Sequence, residues 1–121
     1  MIEELHKVTT LKGLSGKCYE FHIWFFSDFD DVKRTFTGKG LYLFTRRFSE
    51  GVVVRHYYLY LGETGDYYTR YDNHHKEKSI MSHMANCIAF YPMLNSSESE
   101  RIEAETDLLR AYDFPCNKSG N

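Results

Sequence analysis

Two tyrosines, an arginine and a glutamate stand in this chain at spacings that would let them share one site. The tyrosines belong to glycine triplets of opposite order, Gly40-Leu41-Tyr42 and Tyr60-Leu61-Gly62; Arg70 follows the second triplet and Glu105 comes later. Two phenols, a guanidinium and a carboxylate are the equipment for hydrolysing a phosphodiester with one metal ion. A carboxylate holds a hard divalent cation, and a guanidinium grips a phosphate oxygen with its planar fork. A phenol, with a pKa near ~10, helps deprotonate water only where a nearby cation favours its anion.

The elements that must position these groups follow from pattern. Leu41 to Arg47 and Val52 to Leu61 read as two strands joined by a turn at Ser49-Glu50-Gly51, so residues 41–61 form a hairpin carrying both triplets. Thr64-Gly65-Asp66 offers capping chemistry for a helix from about Tyr67 to Met84, which would set Arg70 and His74 one turn apart on one face. Asn86 to Leu94 follows as a short apolar strand. Ser97 and Glu100 stand in capping-box spacing at the head of a last helix, expected to run to about Tyr112 before Pro115 forbids continuation. Ahead of all this, Lys17 to Phe26 reads as a strand ending in the acidic turn 27–31, where Asp28, Asp30 and Asp31 are better explained as turn and capping acids than as a second metal site. The expected class is α+β, a small, mostly antiparallel sheet flanked by two main helices.

Glu105 is the misfit. Ile102, Leu108, Leu109 and Tyr112 define an apolar stripe on the last helix, and Glu105 falls inside it. Burying an unpaired carboxylate costs several kcal/mol, so this one should either meet a cation, Arg70 or another base, or line a cleft. Glycines at strand ends also have an ordinary reading, as sites of positive φ or close backbone approach.

Over about residues 39–117 the chain resembles the GIY-YIG nuclease family. Both triplets match with Leu in place of the usual Ile, followed by Thr64 and Arg70, and then by Glu105, Leu108-Leu109, Tyr112, Pro115 and Asn117. His74 is similar to a histidine that some members carry. The resemblance implies an endonuclease that cuts DNA with a single Mg²⁺ or Mn²⁺, the metal held by Glu105 alone and the scissile phosphate gripped by Arg70. It makes Tyr42 the base candidate, gives Tyr60 the orientation of water or phosphate, lets His74 relay a proton and leaves Asn117 a supporting role. Residues 1–38 would be an accessory strand and turn beside a three-stranded core, and 118–121 a polar tail. The triplets stand further apart than in most members, so the hairpin must be longer; Arg46, Arg47 and Arg55 fall on that extension. With Lys39 and Asn117, these arginines are the candidates for nucleic-acid contact, the alternative being an ordinary solvated hairpin tip.

Composition constrains the rest. A net charge of −2 advertises no polyanion binding globally, yet from Lys33 to Arg55 six basic residues face Glu50 alone. Ten tyrosines exceed what packing demands and point to a contact surface. Three widely spaced cysteines, Cys18, Cys87 and Cys116, suggest neither a zinc ribbon nor a disulfide framework, which fits a reduced, cytoplasmic setting. No apolar run is long enough to span a bilayer, so no membrane partner is expected. DNA is the first expected partner; RNA as substrate, or a binding and regulatory module needing a protein partner or a second copy, are the rivals.

Overall fold

In a computed structural model, which describes residues 2–32, 36–67 and 75–118, five antiparallel strands form one sheet. They are β1 Ile2–Lys12, β2 Cys18–Phe26, β3 Gly40–Glu50, β4 Val53–Thr64 and β5 Cys87–Pro92, in the order β1-β2-β5-β3-β4. The short apolar β5 sits at the centre because Cys87 to Phe90 are buried on both faces, a pattern no edge strand could carry. It pairs with β2 from His22 to Phe25 and with β3 from Gly40 to Thr45. The class is therefore α+β with an antiparallel sheet, as the pattern implied. Among the described residues, no helix is long and apolar enough to cross a membrane.

Alternation along the strands divides the core in two. Leu41, Leu43 and Leu61 face one side, where Ala104, Leu108 and Phe114 cover them; Tyr42, Phe44 and Tyr60 face the other, packed with Phe26, Phe29 and Ile80. The covering helices are α1 Phe29–Val32, α2 Glu77–Ser82, α3 Glu98–Leu109 and α4 Pro115–Lys118. α3 opens on the full capping box: the Glu100 N–H donates to Ser97 Oγ at 3.1 Å and the Ser97 N–H to Glu100 Oε1 at 2.9 Å. Pro115 begins α4, where its missing N–H costs nothing.

Several expectations shift. β1 was not expected, because its sequence mixes charged and β-branched residues as edge strands do. The hairpin turn lies at Gly51-Val52, with Gly51 at φ 59°, while Ser49 and Glu50 continue β3 and pair with Val54 and Val53. α3 ends at Leu109 rather than near Tyr112. Of the helix expected over 67–84, residues 67 and 75–84 are described, and in the second stretch α2 covers Glu77–Ser82 between turns at 75–76 and 83–84. Asp28 serves as the capping acid of α1, its Oδ1 accepting the Asp30 N–H at 3.0 Å.

Candidate functional site

The register of β3 on β4 brings the two triplets face to face. Tyr42 pairs with Gly62 and Phe44 with Tyr60. The phenol end of the Tyr42 ring lies against Gly62, so close that a β-carbon there would stand 2.5 Å from the phenol oxygen and nearer still to the ring. Gly62 is thus required by the approach of the phenol and not by backbone conformation. Gly40 is required twice over, by φ 148° and by the Tyr91 carbonyl and Tyr67 hydroxyl that crowd it. Tyr67, unassigned by sequence, donates its phenol proton to the Leu41 carbonyl at 2.8 Å, and burial pushes its pKa well above the usual phenol range.

The rings of Tyr42 and Tyr60 lie 5.9 Å apart at 35°. Tyr42 is 0% exposed and Tyr60 6%, so both phenols are core residues in this conformation. His75, exposed, meets the Tyr60 ring edge-on at 6.4 Å. Arg70 and His74 lie outside the described residues.

On α3 the inward stripe is Arg101, Ala104 and Leu108, and the stripe expected through Ile102 is corrected: Ile102 is 44% exposed. Arg101 takes the inner position because its stem covers apolar surface while its head finds partners. Its Nε donates to Glu63 at 3.2 Å and its Nη1 to the Ser96 carbonyl at 3.0 Å. Glu105, four residues on, is half-buried at the flank of that stripe. Asp107 occupies the opposite flank, accepting from the Ser15 N–H and hydroxyl and from the Tyr19 hydroxyl of β2. The helical period therefore turns Glu105 toward β4, the strand of the second triplet. Sequence reading missed Arg101, whose only signal was its spacing of four from Glu105.

Asn117 is committed to β4. Its Oδ1 accepts the Leu61 N–H and its Nδ2 donates to the Leu61 carbonyl, both at 2.8 Å, which closes the open edge of β4 at the second triplet. Lys39 precedes Gly40, its carbonyl accepting the Met93 N–H at 2.8 Å. The arginines lie further along the hairpin. β5 pairs with β3 only as far as Thr45, so from Arg46 the hairpin continues as a two-stranded arm. There Arg46 lies over the Tyr57 ring at 5.9 Å, Phe48 stacks on Tyr57 at 4.6 Å, and Arg55 pairs with Glu50 at 3.3 Å in the open. The main chain of Arg47 is held by the Asn86 amide. The fold thus joins the two phenols on one face of the sheet, sets Glu105 on the helix that covers the opposite face, and carries the arginines away along the same hairpin.

No protein-family model, curated protein or solved structure matches the chain.

Proposed function

We propose that the protein is a small GIY-YIG-type endonuclease that hydrolyses DNA phosphodiesters with one divalent metal ion. One observation carries the reading: Tyr42 docks on Gly62 with Tyr60 beside it, so the two triplets are halves of a single construction. In this reading the core is the neighbouring strands β5, β3 and β4, flanked by α2 and α3, and residues 39–117 carry the chemistry.

Glu105 would hold Mg²⁺ or Mn²⁺. The donor set fits, since Mg²⁺ retains most of its waters and takes one or two carboxylates, and a half-buried carboxylate leaves room for that water. Bound there, the ion would supply Lewis-acid stabilisation of the phosphate and the leaving oxygen. Arg70 would hold a nonbridging oxygen, Tyr60 would orient the attacking water, and Tyr42 or His74 would take its proton.

A second reading is favoured by the complete burial of Tyr42: a nucleic-acid-binding or regulatory module in which the phenols are structural and a partner chain is needed for cutting. Incubation with supercoiled plasmid and Mg²⁺ separates the two. Nicked or linear product should appear, be lost with EDTA, and slow by at least about a hundredfold in Glu105→Gln, roughly the several kcal/mol a metal contributes. The variant must keep its melting transition for the result to count. Absence of cleavage with either metal would sink the enzyme reading, and cleavage of RNA alone would change the substrate.

A further inference from the structure

The arm beyond Thr45 carries a surface that the cleavage chemistry does not use. Side-chain alternation sets Tyr42, Phe44, Arg46 and Phe48 on one face of β3. On β4, Phe44 pairs with Tyr60 but Thr45 pairs with Tyr58, so Leu59 is an extra residue, a β-bulge. Without it, the Tyr60 face would continue through Tyr58. With it, Tyr57 comes opposite Arg46 and Arg55 opposite Phe48, and both join the face of the phenols. The bulge thereby assembles an arginine–tyrosine–phenylalanine–arginine cluster in line with the two triplets.

This cluster is exposed where its counterpart is buried. Tyr57 is 54% exposed, yet its ring is fixed by Phe48 on one side and Arg46 nearby. The arm carries Arg46, Arg47 and Arg55 against Glu50 alone, so its field is cationic. The Arg55–Glu50 pair is solvent-exposed and weak enough for a phosphate to displace. Alongside lies a groove of about 590 Å³, reaching from Phe48, Arg55 and Tyr57 to Thr9 of β1. Fixed aromatic faces with cations beside them are what single-stranded nucleic acid binds, bases on the rings and backbone on the charges.

We propose that this face of the arm binds unpaired nucleotides, their bases stacking on the Tyr57–Phe48 pair and their phosphates meeting Arg46 and Arg55. The inference rests on the nuclease reading for its function, since it names the substrate class as nucleic acid with an unpaired segment. Binding itself requires no metal and no cleavage.

The test is fluorescence anisotropy in EDTA with labelled oligothymidylate, oligouridylate and a blunt duplex, in parallel with the plasmid assay. Both single strands should bind more tightly than the duplex. Tyr57→Ala should weaken binding by about tenfold, while Tyr57→Phe, which keeps the ring, should not. Arg46→Ala should weaken it and lower the slope of log affinity on log salt by about one. Wild-type affinity in Tyr57→Ala with an intact melting transition, or preference for the duplex, overturns the proposal. So would an arm that instead binds anionic vesicles or pairs two copies of the chain, with no affinity for oligonucleotide. Binding without cleavage would remove the nuclease reading and leave the arm; cleavage without any effect of Tyr57→Ala on binding would do the reverse.

Discussion

The two halves of the β3–β4 hairpin use the same residue types to opposite ends. Near the triplets, Tyr42 and Tyr60 are packed against Phe44 and floored by a glycine; on the arm, Tyr57 and Phe48 form a comparable ring pair but stand in solvent beside arginines. Nothing in the tyrosines distinguishes them. The difference is where neighbours stop: β5 covers β3 as far as Thr45 and no further. An aromatic pair that is core in one half becomes surface in the other within six residues of β3, and the bulge at Leu59 keeps both pairs on one face. Burial is therefore conferred by what packs on that face, Phe26, Phe29 and Ile80 among others, and not by the hairpin's own sequence.

Truncating each tyrosine tests that contrast most directly. Tyr42→Ala empties a fully buried site and should cost about 3–5 kcal/mol, the range for large aromatics in cores. Tyr57→Ala should cost less than about 1 kcal/mol, because only part of its ring leaves contact. Urea titrations of the two variants read the difference as a gap in midpoint. Equal losses would mean that the arm is part of the cooperative core.

The glycines sharpen the comparison at a smaller scale. Gly62→Ala drives a methyl into the Tyr42 ring, and with the ring enclosed, overpacking should cost about 2–3 kcal/mol. At Gly51, in the arm's turn, a β-carbon meets nothing within 4 Å, and only the positive φ opposes it, about 1 kcal/mol. If Gly51→Ala proved as costly as Gly62→Ala, close approach of the phenol would not be the reason for the second triplet's glycine.

These effects also mark how far the chain could be read without its fold. The hairpin and the Ser97–Glu100 capping box were legible because both are local: alternation, turn residues and a fixed spacing determine them. β1 was not, since an edge strand with one paired side keeps charged residues that disguise its period. The stripe on α3 differs from the apolar one expected because an arginine takes an inward position on it. Arg101 is only 7% exposed, and what permits that is Glu63, a partner far away in sequence. Asn117 is a similar case, its role decided by the unpaired edge of β4 at Leu61. The triplets themselves were visible, but the burial of Tyr42 depends on β5 and on packing that no triplet encodes. Arg70 and His74, on which the sequence argument leaned, lie outside the described residues.

The junction between the halves gives the smallest effect and ties stability to the arm's charge. His56 pairs with Arg47 across the hairpin, and its Nδ1 lies 2.8 Å from Thr45 Oγ1. Burial, and then the Arg47 charge, hold its pKa below the ordinary imidazole value. The unfolded chain therefore takes up a proton near pH ~6.5 before the folded protein does. The stability this histidine contributes is complete above that value and is lost as pH falls through the folded pKa. Wild-type protein should lose urea midpoint between about pH 7.5 and pH 5.5 more steeply than His56→Gln, which has no such proton to gain. Protonation of the folded protein, which comes at lower pH, would add a positive charge to the arm, so oligonucleotide affinity should rise only toward the acid end of the range in which stability falls. Parallel stability profiles in the two proteins would show that His56 is not held neutral by the fold, and that the junction is as open as the arm beyond it.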